Sequence, residues 1–73
     1  MLRRKPPTYV GSHGGRKAFR VEVTAGGPVV SWERGYARWD LRLKAEMERA
    51  ADWLRQFLPE LTHDQRYELL WGP

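Results

Sequence analysis

At Gly35 the spacing of apolar residues changes from two to three or four, and that change decides what the chain can fold into. Before it, Phe19, Val21 and Val23 alternate with Arg20, Glu22 and Thr24, the period of a strand with one buried face. After it, Tyr36, Trp39, Leu43, Met47, Ala50, Leu54, Phe57 and Leu58 fall on one stripe of a helix. Arg42, Glu46, Arg49, Asp52 and Arg55 occupy the opposite side.

The strand over 18–24 runs into Ala25-Gly26-Gly27-Pro28, a turn sequence, and Val29–Glu33 returns as a second strand, so a β-hairpin is predicted. The stripe predicts a long helix over about 36–58, stopped by Pro59, which lacks the donor and clashes with the preceding turn. Thr62, with Gln65 three residues on, has the capping-box pattern and opens a short second helix. Tyr67, Leu70 and Trp71 of that helix are expected to pack back on the first. The fold class is thus α+β, a small single domain with a hairpin, a long helix and a short C-terminal helix. Residues 18–73 form this ββαα domain. Residues 1–17 are read as a flexible basic arm, because Pro6-Pro7 is stiff and Gly11, Gly14 and Gly15 loosen the stretch beyond it. Within the arm, Thr8-Tyr9-Val10 is suited to a short strand if something supports it.

With 73 residues and no cysteine, the core is thin and no disulfide assists it. Packing must come from aliphatic side chains and the four tryptophans, Trp32, Trp39, Trp53 and Trp71. Trp32 and Trp39 are read as core before interface, since they lie where a small domain most needs mass.

Charge is unevenly placed. Residues 1–20 hold Arg3, Arg4, Lys5, Arg16, Lys17 and Arg20 and no acid, while the rest is slightly acidic. A basic arm of this kind is drawn to nucleic acid or to an acidic protein surface, with Arg3, Arg4, Lys5, Arg16 and Lys17 as the steering contacts. No leader or apolar span is evident, so a cytoplasmic protein is expected.

Enzyme chemistry finds little support. Ser12 and His13 are adjacent, so their side chains diverge, and Gly11–Lys17 lacks the spacing of a phosphate loop. Asp64 and Glu68 stand one turn apart on a helix face that reads as solvated. His63 lacks companions for a metal. No catalytic residue, cofactor or metal is expected. A surface for a partner is a better reading: Trp32-Glu33-Arg34-Gly35-Tyr36-Ala37-Arg38-Trp39 interleaves arginines with large aromatics, the residue types that dominate interface energetics. Arg34, Tyr36 and Arg38 are the candidate partner contacts, on a monomer. Open strand edges offer a further place for an extended peptide to add.

The length, the basic start, the excess of ten arginines over three lysines and the order of elements together resemble the small phage-encoded regulators that bind the host bacterial RNA polymerase. The likeness is greatest to those of lytic phages of GC-rich hosts such as Xanthomonas. It rests on the character of the whole chain and carries over no functional residue. It implies docking on the largest-subunit (β′) region of the polymerase, inhibition of σ-dependent initiation, and antitermination. The alternative from the residues alone is a small basic-tailed nucleic-acid-binding protein. Against it, the polar face of the long helix mixes charges and does not suit a groove.

Overall fold

The computed structural model describes residues 6–72. Three strands form an antiparallel sheet in chain order, β1 (Thr8–His13), β2 (Arg16–Thr24) and β3 (Gly27–Trp32). A 3₁₀ turn, Leu41–Leu43, leads into α1 (Lys44–Phe57), and α2 (His63–Trp71) follows. The helices cover one face of the sheet and leave the other to solvent.

The expected hairpin is present as β2 and β3, with Phe19 opposite Trp32, Val21 opposite Val30 and Val23 opposite Pro28 on the covered face. A third strand joins it. Residues 8–17, assigned from the sequence to a flexible arm, form β1 and the start of β2. The glycines that suggested looseness have defined tasks. Gly14 and Gly15 make the two-residue turn between β1 and β2 with φ of 60° and 79°, the positive values that a tight turn needs to match strand twist. Gly11 lies opposite Phe19, whose ring sits where a side chain would otherwise be: a Cβ on Gly11 would lie 2.0 Å from Phe19 Cε1. The register shifts beside it, since Gly11 pairs with Phe19 but Ser12 with Lys17. Ala18 is the extra residue of this bulge, and Ala18 and Phe19 are consequently both buried.

The core consists of Ala18, Phe19 and Val21 from the sheet, Leu43, Met47, Ala50 and Leu54 from the turn and α1, and Leu70 from α2. Leu43, Met47, Ala50 and Leu54 are the middle of the stripe read from the sequence. Its upstream end is not helical. Glu33 to Asp40 form two turns, closed by Tyr36 N–H to the Glu33 carbonyl at 3.2 Å and Asp40 N–H to the Ala37 carbonyl at 2.9 Å. The 3₁₀ turn starts only where Asp40 caps it, its carboxylate accepting from Arg42 N–H at 3.1 Å. An aspartate offers the first free N–H groups an acceptor that Tyr36 lacks, so the cap outweighs the continued stripe. The same carboxylate accepts from Arg42 Nε at 2.9 Å. This guanidinium hydrogen bond holds the Asp40 carboxyl down at about 2.

The α1 helix ends at Phe57, one residue before the Leu58-Pro59 pair, and Leu58 N–H closes on the Leu54 carbonyl at 2.7 Å. Thr62 caps α2 as its spacing predicts: Thr62 Oγ1 accepts from Gln65 N–H at 3.1 Å, and Gln65 Oε1 accepts from Thr62 N–H at 2.8 Å. A cap of this kind stabilises a helix by about 1 kcal/mol.

One polar tie joins sheet to helix. Tyr9 Oη donates to Glu46 Oε2 at 2.9 Å, and the Tyr9 ring lies 6.0 Å from that of Trp53. Burial, then the hydrogen bond to the Glu46 carboxylate, pushes the Tyr9 phenol up to about 12 from its ordinary 10.0. The folded state therefore keeps this proton more strongly than the unfolded chain does. Its stabilisation is fully present below pH 10 and is lost as pH rises through 12. Urea denaturation of wild type and Tyr9→Phe is expected to show a gap that is constant from about pH 7 to 9 and closes between about pH 10 and 12. An unchanging gap would mean that the phenol proton contributes nothing.

Candidate functional site

Six large apolar side chains are substantially exposed among the described residues, and three of them, Trp39, Leu41 and Tyr67, line one groove. Scattered apolar side chains are ordinary on a protein surface; a cluster in a concavity is not. The groove lies between the start of α1 and the face of α2. Met47, Ala51 and Leu70 line it from the core side, and Lys44, Glu48, His63 and Arg66 supply its polar groups. Its volume is about 430 Å³, within the roughly 300–1,000 Å³ of sites that bury a ligand.

Helical spacing builds the aromatic wall. His63, Tyr67 and Trp71 fall four residues apart on α2 and stack in series, with ring centroids 6.5 Å and then 6.0 Å apart. Trp39 continues the series from the linker, 6.4 Å from Trp71. Leu41 stands at the mouth and is 81% exposed. Trp39 is thus a wall of this groove, at 55% exposure, and not core as its place on the stripe suggested. Because Glu33 to Asp40 are turns and not helix, the stripe that would have carried Trp39 inward is broken before it begins.

Arg38 holds this wall in place. Its Nη2 donates to the Leu69 carbonyl at 3.3 Å, near the C-terminus of α2, where a cation also meets the negative end of the helix dipole. The Arg38 side chain lies so close to Gly72 that a Cβ there would come within 2.8 Å of Nη1. The linker is thereby tied to α2 immediately beside Trp39.

The cluster read from the sequence as Arg34, Tyr36 and Arg38 is divided by the fold. Arg34 is exposed. Tyr36 is half-buried, with the Arg42 guanidinium 5.3 Å above its ring and its Oη 3.5 Å from His13 Nδ1. Arg38 is half-buried in the contact with α2. Tyr36 and Arg38 are therefore engaged in intramolecular roles, and of the three Arg34 alone presents its side chain outward. Trp32 packs on Phe19 at 5.0 Å, which agrees with the core assignment; its Nε1 is buried with no hydrogen-bond partner.

The basic residues do not form one patch. Lys17 pairs with Glu33 at 3.1 Å and Arg20 with Glu22 at 3.0 Å on the open face of the sheet. Arg16 is exposed at the β1–β2 turn. Arg3, Arg4 and Lys5 lie outside the described residues. At the groove, Lys44 and Arg66 have no carboxylate partner among the described residues, although Glu48 is one turn from Lys44; Arg66 Nη1 donates to the Leu61 carbonyl at 2.6 Å.

Ser12 and His13 leave β1 on opposite faces, as neighbours on a strand do, and His13 meets Tyr36 edge-on. Among the described residues no group of three or more His, Asp or Glu side chains is placed to hold a metal ion. No helix there is long and apolar enough to cross a membrane.

None of the groove-lining residues, Leu41, Lys44 and Tyr67 among them, was singled out from the sequence as a contact. Two signals were present: the spacing of His63, Tyr67 and Trp71, and Leu41 as an apolar residue off the buried stripe. What the fold and groove define is a three-stranded α+β domain with an aromatic concavity. No protein-family model matches the chain, and no curated protein or solved structure shows significant similarity to it.

Proposed function

We propose that this chain is a stoichiometric protein-binding regulator, not an enzyme, and that its target is bacterial RNA polymerase. The observation that carries the docking part of this reading is the groove. Trp39, Leu41 and Tyr67 are held exposed together by a linker that Arg38 fastens to α2, and aromatic and leucine side chains presented on a rigid frame are what a protein interface uses as anchors. The target comes from the resemblance in length, arginine-rich composition and element order to phage regulators of host polymerase. On that basis the chain acts in the host cytoplasm as a monomer, docks in the β′ region, inhibits σ-dependent initiation and promotes antitermination. Arg34, exposed between the sheet and the groove-lining linker, is a further contact in this account.

A nucleic-acid reading has one observation of its own. The series His63, Tyr67 and Trp71, beside Lys44 and Arg66, resembles a stacking platform for single-stranded bases. The aliphatic floor and the Glu48 carboxylate at the groove weigh against a continuous phosphate backbone.

Gel filtration and in vitro transcription separate the two. The regulator reading expects co-elution with bacterial RNA polymerase that persists at raised salt, together with loss of promoter-dependent transcripts. A chain that leaves polymerase free, yet binds DNA with an affinity that collapses as salt rises, would contradict it.

A further inference from the structure

We propose that the groove takes a short acidic segment of a partner protein, with one apolar anchor residue seated among Trp39, Leu41 and Tyr67 and flanking carboxylates meeting Lys44 and Arg66. This rests on the docking reading above and specifies its ligand.

Charge is the first argument. Five cations on the described surface, Lys17, Arg20, Arg42, Arg49 and Arg55, are matched by Glu33, Glu22, Asp40, Glu46 and Asp52. Arg16, Arg34, Arg38, Lys44 and Arg66 have no carboxylate partner among the described residues, and of these Lys44 from α1 and Arg66 from α2 line the same concavity. Lys44 is exposed, and Arg66, although its Nη1 donates to the Leu61 carbonyl, keeps its charge without a carboxylate; two such cations on flanking elements suit carboxylates carried at separate points of one chain. Glu48 also lines the groove, and a peptide with discrete charges can keep its carboxylates away from it where a polyphosphate cannot.

The second argument is the lining. Ala51 gives an apolar base with the buried Met47 and Leu70 beneath it, and the rings of Trp39 and Tyr67 form sides. That combination accepts a leucine or an aromatic side chain. A second copy of this chain is a poorer occupant, because pairing two identical grooves brings Lys44 and Arg66 towards their own counterparts. The open face of the sheet competes less well as a docking surface. Its exposed Val10 and Val29 flank the Arg20–Glu22 ion pair, which already neutralises itself.

Selection of random displayed peptides against the immobilised full chain tests this. Enriched sequences are expected to share a leucine or aromatic residue with Asp or Glu on both sides. A synthetic copy of one, titrated by fluorescence anisotropy, is expected to bind roughly tenfold more weakly to Leu41→Glu and to Lys44→Glu. The Lys44→Glu loss should shrink as salt rises, while Val29→Glu on the open sheet face should bind as wild type does. Both groove positions are exposed, and unchanged circular dichroism confirms that the variants fold. No enrichment, enrichment of basic or uncharged sequences, or binding indifferent to both groove variants would overturn the proposal. So would oligothymidylate displacing the peptide, or a dimer that Leu41→Glu abolishes. The two readings fail separately: polymerase capture that survives Leu41→Glu removes the groove alone, whereas peptide binding without polymerase capture removes the polymerase alone.

Discussion

Gly11→Val is expected to cost the domain about 3 kcal/mol or more and to lower its melting temperature by about 15 °C, as read by far-ultraviolet circular dichroism. The reason is local. A Cβ at position 11 would lie 2.0, 2.2 and 2.6 Å from three atoms of the Phe19 ring, and Phe19 is fully buried between Trp32 and Tyr9, at 5.0 and 6.2 Å. The ring has no empty neighbouring volume to enter, so the clash is relieved only by opening β1 from β2 or by expelling Phe19. Against a total of roughly 4–11 kcal/mol for a chain of this length, either is a large fraction. Ser12→Val, one residue along on the exposed side of the same strand, is expected to change stability by less than about 0.5 kcal/mol. If Gly11→Val melted like wild type, the account of the bulge and of the Phe19 ring over the glycine would be wrong.

Leu70→Ala is the second large effect. Leu70 is 1% exposed and is the fully buried residue of α2, with Leu69 and Trp71 packed on the core beside it. Truncations of this kind cost about 2–5 kcal/mol. Here the loss falls first on α2, whose nine residues are too few to hold a helix unaided. Once Leu70 no longer anchors it, the remaining ties are the partly buried Leu69 and Trp71, the Arg38–Leu69 hydrogen bond and the Trp39–Trp71 contact. Amide exchange is expected to quicken across His63–Trp71 while β2 stays protected, and partner binding should disappear with the groove wall. Unchanged protection in α2 would show that something other than Leu70 secures it.

Much of this was legible in residue spacing. The alternation of Phe19, Val21 and Val23 marked the covered face of the central strand, and Thr62 with Gln65 marked the start of α2 at the residue that caps it. Leu43, Met47, Ala50 and Leu54 were already on one stripe. Features that depend on distant residues were less legible. Nothing near Gly11 announces that Phe19 will lie on it, so a glycine-rich string read as loose when it was turn and close contact. Tyr36 and Trp39 kept the helical period, yet Asp40 started the helix later because a cap depends on one side-chain oxygen and not on periodicity. That late start turned Trp39 outward and gave Arg38 a position from which to reach the Leu69 carbonyl. The groove therefore exists because of a helix boundary, the element of a fold that apolar spacing specifies least well.

The most direct test is an amide nuclear magnetic resonance titration of the isotopically labelled chain with purified bacterial RNA polymerase, and separately with a DNA duplex. Docking through the groove predicts selective broadening at Trp39, Leu41, Lys44, Tyr67 and Trp71 with polymerase, and little change with DNA. Broadening confined to the open face of the sheet would contradict the groove. Shifts that appear only with DNA and vanish as salt rises would contradict the regulator itself.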